Sequence, residues 1–365
     1  MTSTHRKILR TFHPSKIIFI IIIGIILVGY LFYKEYKPGV FKSLSISYLS
    51  LLFLFLAILC MLGRDIGYMI RLKFLSDNKL TWPQTFRIIM LWEFTSAITP
   101  STVGGTSLAV IYITKEGISV GRSTSIVLAT SLLDELYFLI MFPLLMIIVN
   151  PKNLFMNGHN GTNVISFSNE LFMFAIIGYS LKFVYVLLVS YGLFLKPRGI
   201  KWLLLKIFKL PIIRRWRVAA GKAGDEIIIS SAELKNKNIL FWLKSVIATF
   251  LSWSSRYLVI NFIFLAFFYV SDHLLLFTRQ LAMWIMMLVS PTPGGTGFAE
   301  YVFSKYLLDY IPNDGKISAT IIALAFLWRV ITYYPYLIIG SLILPTWIRK
   351  KFIIERRQKI NEQTS

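Results

Sequence analysis

The sequence predicts an all-α, polytopic membrane protein, and three observations carry that prediction. Of its 365 residues 56% are hydrophobic and only 15% charged, whereas soluble domains carry roughly a quarter charged residues. The apolar residues come in blocks, at 17–33, 46–62, 123–149, 171–195, 239–270 and 318–346. A hydrocarbon core of roughly 30 Å needs about 20 helical residues, so each block qualifies as a span, the first two being the shortest. Lastly, the 39 Lys and Arg, against 17 Asp and Glu, lie mostly beside these blocks. In a soluble chain a net charge of +22 would raise nucleic acid as a partner. Here it points to topology and to anionic lipid headgroups at the cytoplasmic face, and not to nucleic acid.

The block 17–33 reads as a retained anchor, because Lys34-Glu35-Tyr36-Lys37-Pro38 follows it in place of a small-residue cleavage site. Positive charge is dense in the N-terminal segment 1–16, in the stretch 196–238 and in the tail 347–365, and nearly absent from 150–170, where Lys152 stands alone. Those three basic segments are therefore expected in the cytoplasm and 150–170 outside, although Lys34, Lys37 and Lys42 then fall on the outer side. Within the basic stretch, 200–218 is amphipathic, with Trp202 and Trp216 among basic residues, and is expected to lie on the cytoplasmic membrane surface. Arg64 and Asp65, just past the second block, are expected at the membrane interface. The lone Cys60 excludes a disulfide framework and a thiolate metal site.

Two apolar segments are broken. The first, 83–99, is interrupted by Pro100-Ser101-Thr102-Val103-Gly104-Gly105 and resumes to 114; the second, 277–289, is interrupted by Pro291-Thr292-Pro293-Gly294-Gly295 and resumes to about 310. Pro removes a helix donor and clashes with the preceding turn, while paired Gly permits backbone shapes other residues resist. The two breaks resemble each other. Trp92 and Trp284 precede them, Gly-Gly-Thr follows in both, and Ala109 matches Ala299 at a separation of 190. One gap is needed before the glycines. This predicts a duplicated unit with discontinuous helices, its halves at about 44–149 and 239–346, linked by the span 171–195 and the basic stretch 196–238. Parity completes the scheme: with both termini inside, the segments 83–122 and 277–317 must each enter and leave by one face, the first cytoplasmic and the second external. The prediction is six full transmembrane helices and two re-entrant broken-helix hairpins in an inverted repeat.

Irregular backbone at membrane depth is tolerated inside protein or beside a wet cavity. The helix resuming after each Gly-Gly should point its N-terminus to mid-membrane, with Thr106 and Thr296 placed to cap it. Two such ends suit an anionic group; the competing reading is that Gly-Gly serves only close helix packing. Ionisable residues inside apolar blocks cost roughly 2.5–3.5 kcal/mol each at a helix centre, so Glu93, Asp134, Glu135, Arg256, Glu300 and Arg329 should pair or face a cavity. Arg256 and Arg329 are natural partners for the acids or for a lipid phosphate. Asp134 and Glu135, being adjacent, are expected to point to different sites. The substrate-binding candidates are thus Pro100, Gly104, Gly105, Thr106, Pro293, Gly294, Gly295, Thr296, Glu300, Arg256, Arg329 and Asp134. The four histidines lie outside the apolar blocks, and no catalytic, Walker or metal motif is present, so neither cofactor nor metal is expected.

Pro293-Gly294-Gly295-Thr296-Gly297-Phe298-Ala299-Glu300, with Trp328-Arg329 in the last span, resembles the transmembrane domain of the lysylphosphatidylglycerol synthase family. The first break, with Lys115-Glu116-Gly117-Ile118-Ser119 and the Asp134 helix, resembles that domain's first half, although Thr106-Ser107-Leu108 replaces the polar or charged residues many relatives carry. The similarity spans about 15–345. It implies a flippase-like fold over 17–346 with two re-entrant hairpins. In full-length synthases a soluble aminoacyl-transfer domain follows; the segment 347–365 is too short for one, so synthase activity is not expected. The leading expectation is a translocase of lipid or lipid-linked anionic headgroups in a prokaryotic cytoplasmic membrane. The alternatives are an intramembrane enzyme using Glu300 with Asp134 or Glu135, and a scaffold that docks a partner transferase through 196–238.

Overall fold

The computed structural model describes residues 33, 44–99, 101–158, 165–167, 169–207, 209, 217–287, 298–311 and 317–354. Five helical segments among them are long and apolar enough to cross a membrane, at Tyr48–Leu75, Val120–Ile148, Asn169–Leu195, Ile239–Leu265 and Ala319–Lys351. These coincide with five of the six expected spans; the sixth, 17–33, lies outside the described residues.

Helix α1, Tyr48–Leu75, starts at a reciprocal Ser47–Ser50 cap and ends where Asp77 and Asn78 adopt positive φ. Its apolar stretch stops near Leu62 but the helix does not, so Arg64 and Asp65 lie within it and not at a span end. The interfacial assignment is therefore corrected: Arg64 is only 1% exposed. Helices α2 (Trp82–Ile98) and α3 (Ser101–Lys115) form a hairpin. At 17 and 15 residues they reach about 26 and 22 Å, each short of a full span. Helix α2 ends at Ile98 with Thr99 extended, and α3 begins at Ser101; Pro100 lies outside the described residues. Gly104 and Gly105 are already inside α3, and so is Thr106, which corrects its expected capping role. A Cβ on Gly105 would lie 1.9 Å from Ser96 Oγ and 2.9 Å from Ser96 Cα, so this glycine lets the two arms of the hairpin touch. Close packing, the competing reading, accounts for it.

Gly117 turns the chain at φ +106° into α4 (Val120–Ile148), capped by Ser119. One helical turn and a two-stranded hairpin follow, β1 (Met156–Gly158) against β2 (Ile165–Phe167). The strand pair spans three residues on each side and sits in a connection; every membrane-length segment is helical, as the all-α expectation has it. Helix α5, Asn169–Ser190, widens into a π-helical turn at Tyr191–Leu195. The basic stretch forms α6 (Pro197–Ile207), with Trp202 and Leu203 exposed beside its lysines, and α7 (Arg217–Lys235). Helix α7 docks on the ends of α1 and α4: Gly121 N donates to Glu226 Oε2 at 2.8 Å, Arg122 pairs with Glu233, and Asp77 is shared by Arg122 at 2.7 Å and Lys237 at 2.6 Å.

Helix α8 (Ile239–Leu265) is capped by Asn238 and packs along α1 more extensively than any other helix pair among the described residues. Contacts run Gly63 to Ser255, Gly67 to Ser252 and Arg71 to Thr249, so the two helices are antiparallel. A second pair of short helices follows, α9 (His273–Met287) and α10 (Phe298–Tyr306), tied by Arg279, whose Nη1 reaches Asp309 at 2.5 Å and the Tyr306 carbonyl at 3.0 Å. The expected second break, with Pro293, Gly294, Gly295 and Thr296, lies between them and outside the described residues. The last block is two helices, α11 (Ile317–Thr332) and α12 (Tyr334–Ile348), parted at Tyr333 ahead of Pro335.

Candidate functional site: a charged cavity among the helices

A cavity of about 260 Å³ lies where α1, α2, α4, α8 and α12 converge, with α3, α5, α9 and α11 completing its wall. Five cations border it: Arg64, Arg71, Lys182, Arg256 and Arg329. Three carboxylates, Glu93, Asp134 and Glu135, face it as well. At a cost of roughly 2.5–3.5 kcal/mol per ion at membrane depth, such a set persists only if each charge finds a counter-charge or a wet space. The pairing pattern supplies the counter-charges.

Arg64, on α1, holds Asp65 at 2.8 Å and Glu93, on α2, at 2.5 Å. Tyr336 of α12 donates to Asp65 at 3.0 Å, and its ring lies 4.9 Å from the Arg64 guanidinium. One turn up α1 and again two turns from Arg64, residues 68 and 71 keep the same face. Arg71 grips Asp134 with two hydrogen bonds, of 2.6 and 3.1 Å, while Trp253 Nε1 donates to the same carboxylate at 2.6 Å. Lys182 of α5 pairs with Glu135 at 2.6 Å, and its ammonium sits 4.1 Å above the Phe138 ring. Arg329 Nε meets Glu300 at 2.5 Å, joining α11 to α10. All of these ion pairs except Arg64–Asp65, which lies within α1, link separate helices, so the cavity wall and the bundle are held by the same charges.

Arg256 differs. It is 9% exposed and stacks 4.2 Å above the Trp284 ring and 5.8 Å from that of Trp253, with no carboxylate partner among the described residues.

Of the residues expected from sequence, Asp134, Arg256, Arg329 and Thr106 border the cavity, and Glu300 reaches it through Arg329. Gly105 stands behind the wall, under Ser96. The expectation that Asp134 and Glu135 serve different sites is corrected: both face this cavity. Neighbouring helix positions diverge by about 100°, which still lets a broad cavity take both, one held by α1 and the other by α5. Sequence reasoning missed Arg64, Arg71 and Lys182. Lys182 did leave a signal, being the single charge inside the block 171–195.

The fold and cavity together define a helical membrane protein with a charged internal chamber. The family described as the lysylphosphatidylglycerol synthase TM region matches residues 16–340, and the chain belongs to it. A UPF0104 membrane protein of Archaeoglobus fulgidus is 27% identical over 314 residues, covering 83% of this chain and 89% of that protein. No solved structure matches significantly.

Proposed function

We propose that the protein carries polar lipid or lipid-linked headgroups between the leaflets of a prokaryotic cytoplasmic membrane. The observation that carries this reading is the cavity, where five cations and their carboxylates gather among helices long enough to span a bilayer. A protein serving only as an anchor or scaffold has no reason to hold so many ions at that depth. Membership of a membrane family related to lipid handling, with an archaeal relative, agrees with the substrate class and the location.

In this reading the pairs α2–α3 and α9–α10 are re-entrant hairpins entering from opposite faces, and six full spans leave both termini in the cytoplasm. An inverted repeat has two nearly equivalent packings, each open to one side, so rocking one half against the other exposes the chamber alternately. The headgroup travels through the chamber while its acyl chains stay in the bilayer. The Arg329–Glu300 and Arg71–Asp134 pairs are contacts that such a motion would remake, and their carboxylates offer places for a coupling proton.

Reconstitution tests this. Wild-type protein in vesicles should exchange fluorescent anionic lipids between leaflets faster than protein-free vesicles, with no new lipid product. Arg329→Gln should slow anionic lipids more than zwitterionic ones, and Arg329→Lys should recover part of the rate. Product formation would favour an enzyme. No exchange in either lipid class would leave the scaffold.

A further inference from the structure

Arg64 and Arg256 are 192 residues apart, as are Arg87 and Arg279, and Trp92 and Trp284. Nearly the same offset carries α1 onto α8 and α2 onto α9. The α1–α8 contact obeys it too. Gly63 packs against Ser255, its own counterpart, at 3.3 Å from an added Cβ to Ser255 Oγ. Beyond that point partners run in opposite directions, through Gly67 with Ser252 to Arg71 with Thr249. An antiparallel contact centred on a residue and its own equivalent is what a two-fold axis between duplicated halves produces. Arg64 and Arg256 are the next residues along, so they occupy equivalent places on the cavity wall.

Their surroundings are not equivalent. Around Arg64 the chain supplies two carboxylates, Asp65 at 2.8 Å and Glu93 at 2.5 Å. The same offset from those acids falls on Tyr257 and Ile285, which carry no charge. Arg256 thus keeps the cation of the duplicated position and has lost both counter-ions. It is 91% buried, faces the cavity, and rests on the Trp284 ring at 4.2 Å. Indole faces attract a guanidinium without neutralising it, and they leave the planar fork of N–H donors open. A largely desolvated cation of this kind favours an oxyanion that can accept two of those donors at once.

We infer that Arg256 is the anion subsite of the cavity. A phosphate group binds there, in the place that Asp65 and Glu93 fill around Arg64, and Trp284 and Trp253 form the wall beside it. Taking that phosphate from a lipid headgroup rests on the translocase reading; the subsite itself does not.

The test uses the full chain in maltoside micelles and reads thermal unfolding against three probes: inorganic phosphate, dioctanoyl phosphatidylglycerol and dioctanoylglycerol, which lacks the phosphate. The first two should raise the wild-type midpoint in a saturable manner and the third should not. Arg256→Gln should weaken both effects at least tenfold, with Arg256→Lys between. Without any anion, Arg256→Gln should unfold no earlier than wild type, because it removes a charge that no carboxylate among the described residues balances. Arg64→Gln should unfold earlier, because it strands two carboxylates. Protection by inorganic phosphate alone keeps the subsite and counts against a lipid as its ligand. Equal protection of wild type and Arg256→Gln, or of neither, overturns the inference, whatever leaflet exchange shows.

Discussion

Asp134→Asn is the sharpest probe of how the cavity is held. The wild-type carboxylate accepts two hydrogen bonds from Arg71 and one from Trp253 Nε1. Arg71 is 3% exposed, and its one other hydrogen-bond acceptor among the described residues is the neutral Thr249 hydroxyl, at 3.0 Å. Asparagine keeps the shape but removes the charge and turns an N–H₂ group toward donors. Removing one partner of a buried ion pair costs about 3–5 kcal/mol, because the other charge is left uncompensated. That is roughly two to four orders of magnitude in the folding equilibrium. Denaturation in mixed micelles should show this loss, and Arg71→Leu with Asp134→Asn should recover most of it by removing the stranded cation. A double-mutant cycle isolates the coupling. An Asp134→Asn protein within about 0.5 kcal/mol of wild type, the range of an inconsequential surface change, would refute the reasoning. So would a double variant no more stable than Asp134→Asn.

Other outcomes follow from the same geometry. Gly105→Val should lower both the unfolding midpoint and leaflet exchange, by about 1–3 kcal/mol or more of overpacking, since even its Cβ meets Ser96; normal behaviour in both would remove the close approach of α2 and α3. Burial pushes the Glu116 carboxyl up, but hydrogen bonds from Trp347 and Lys351 and the Arg87 charge outweigh it and hold the group below its ordinary range. Its stabilisation is therefore complete above the unfolded-state pKa and is lost as pH falls through the lowered folded value, so Glu116→Gln should unfold earlier than wild type at neutral pH, with the gap closing on acidification. For topology, Gly158→Cys and Asn313→Cys in a Cys60→Ser background should react with an impermeant reagent from outside and Lys222→Cys from inside; external labelling of Lys222→Cys would sink the scheme.

Much of the helical layout was legible because spanning segments need only length and apolarity, which are local properties. The boundary of α1 was not, because it depends on distant residues. Arg64 and Arg71 stay helical and buried only through Glu93 and Asp134, on other helices, and no local pattern announces such partners. The Gly-Gly pair misled for a related reason. Paired glycines permit an irregular turn, but they equally permit a helix to approach a neighbour, and Ser96 on α2 decides for the second at Gly105. Asp134 and Glu135 were separated by helix geometry alone, without allowing for a cavity wide enough to take both. The candidate ions Arg256, Arg329 and Asp134 were identifiable because a charge inside an apolar block is conspicuous. Which of them has no carboxylate partner among the described residues was a question only three dimensions could answer.

The claim that headgroups pass through this chamber is tested most directly by filling it. Thr130, on α4, is 5% exposed and lines the cavity, so Thr130→Trp places an indole where a headgroup would sit. The measurement is leaflet exchange of an anionic fluorescent lipid in vesicles, on protein that still elutes as a single species. Translocation through the chamber predicts exchange well above protein-free vesicles for wild type and near the protein-free rate for Thr130→Trp. Wild-type exchange that Thr130→Trp leaves unchanged, or no wild-type exchange at all, would contradict it.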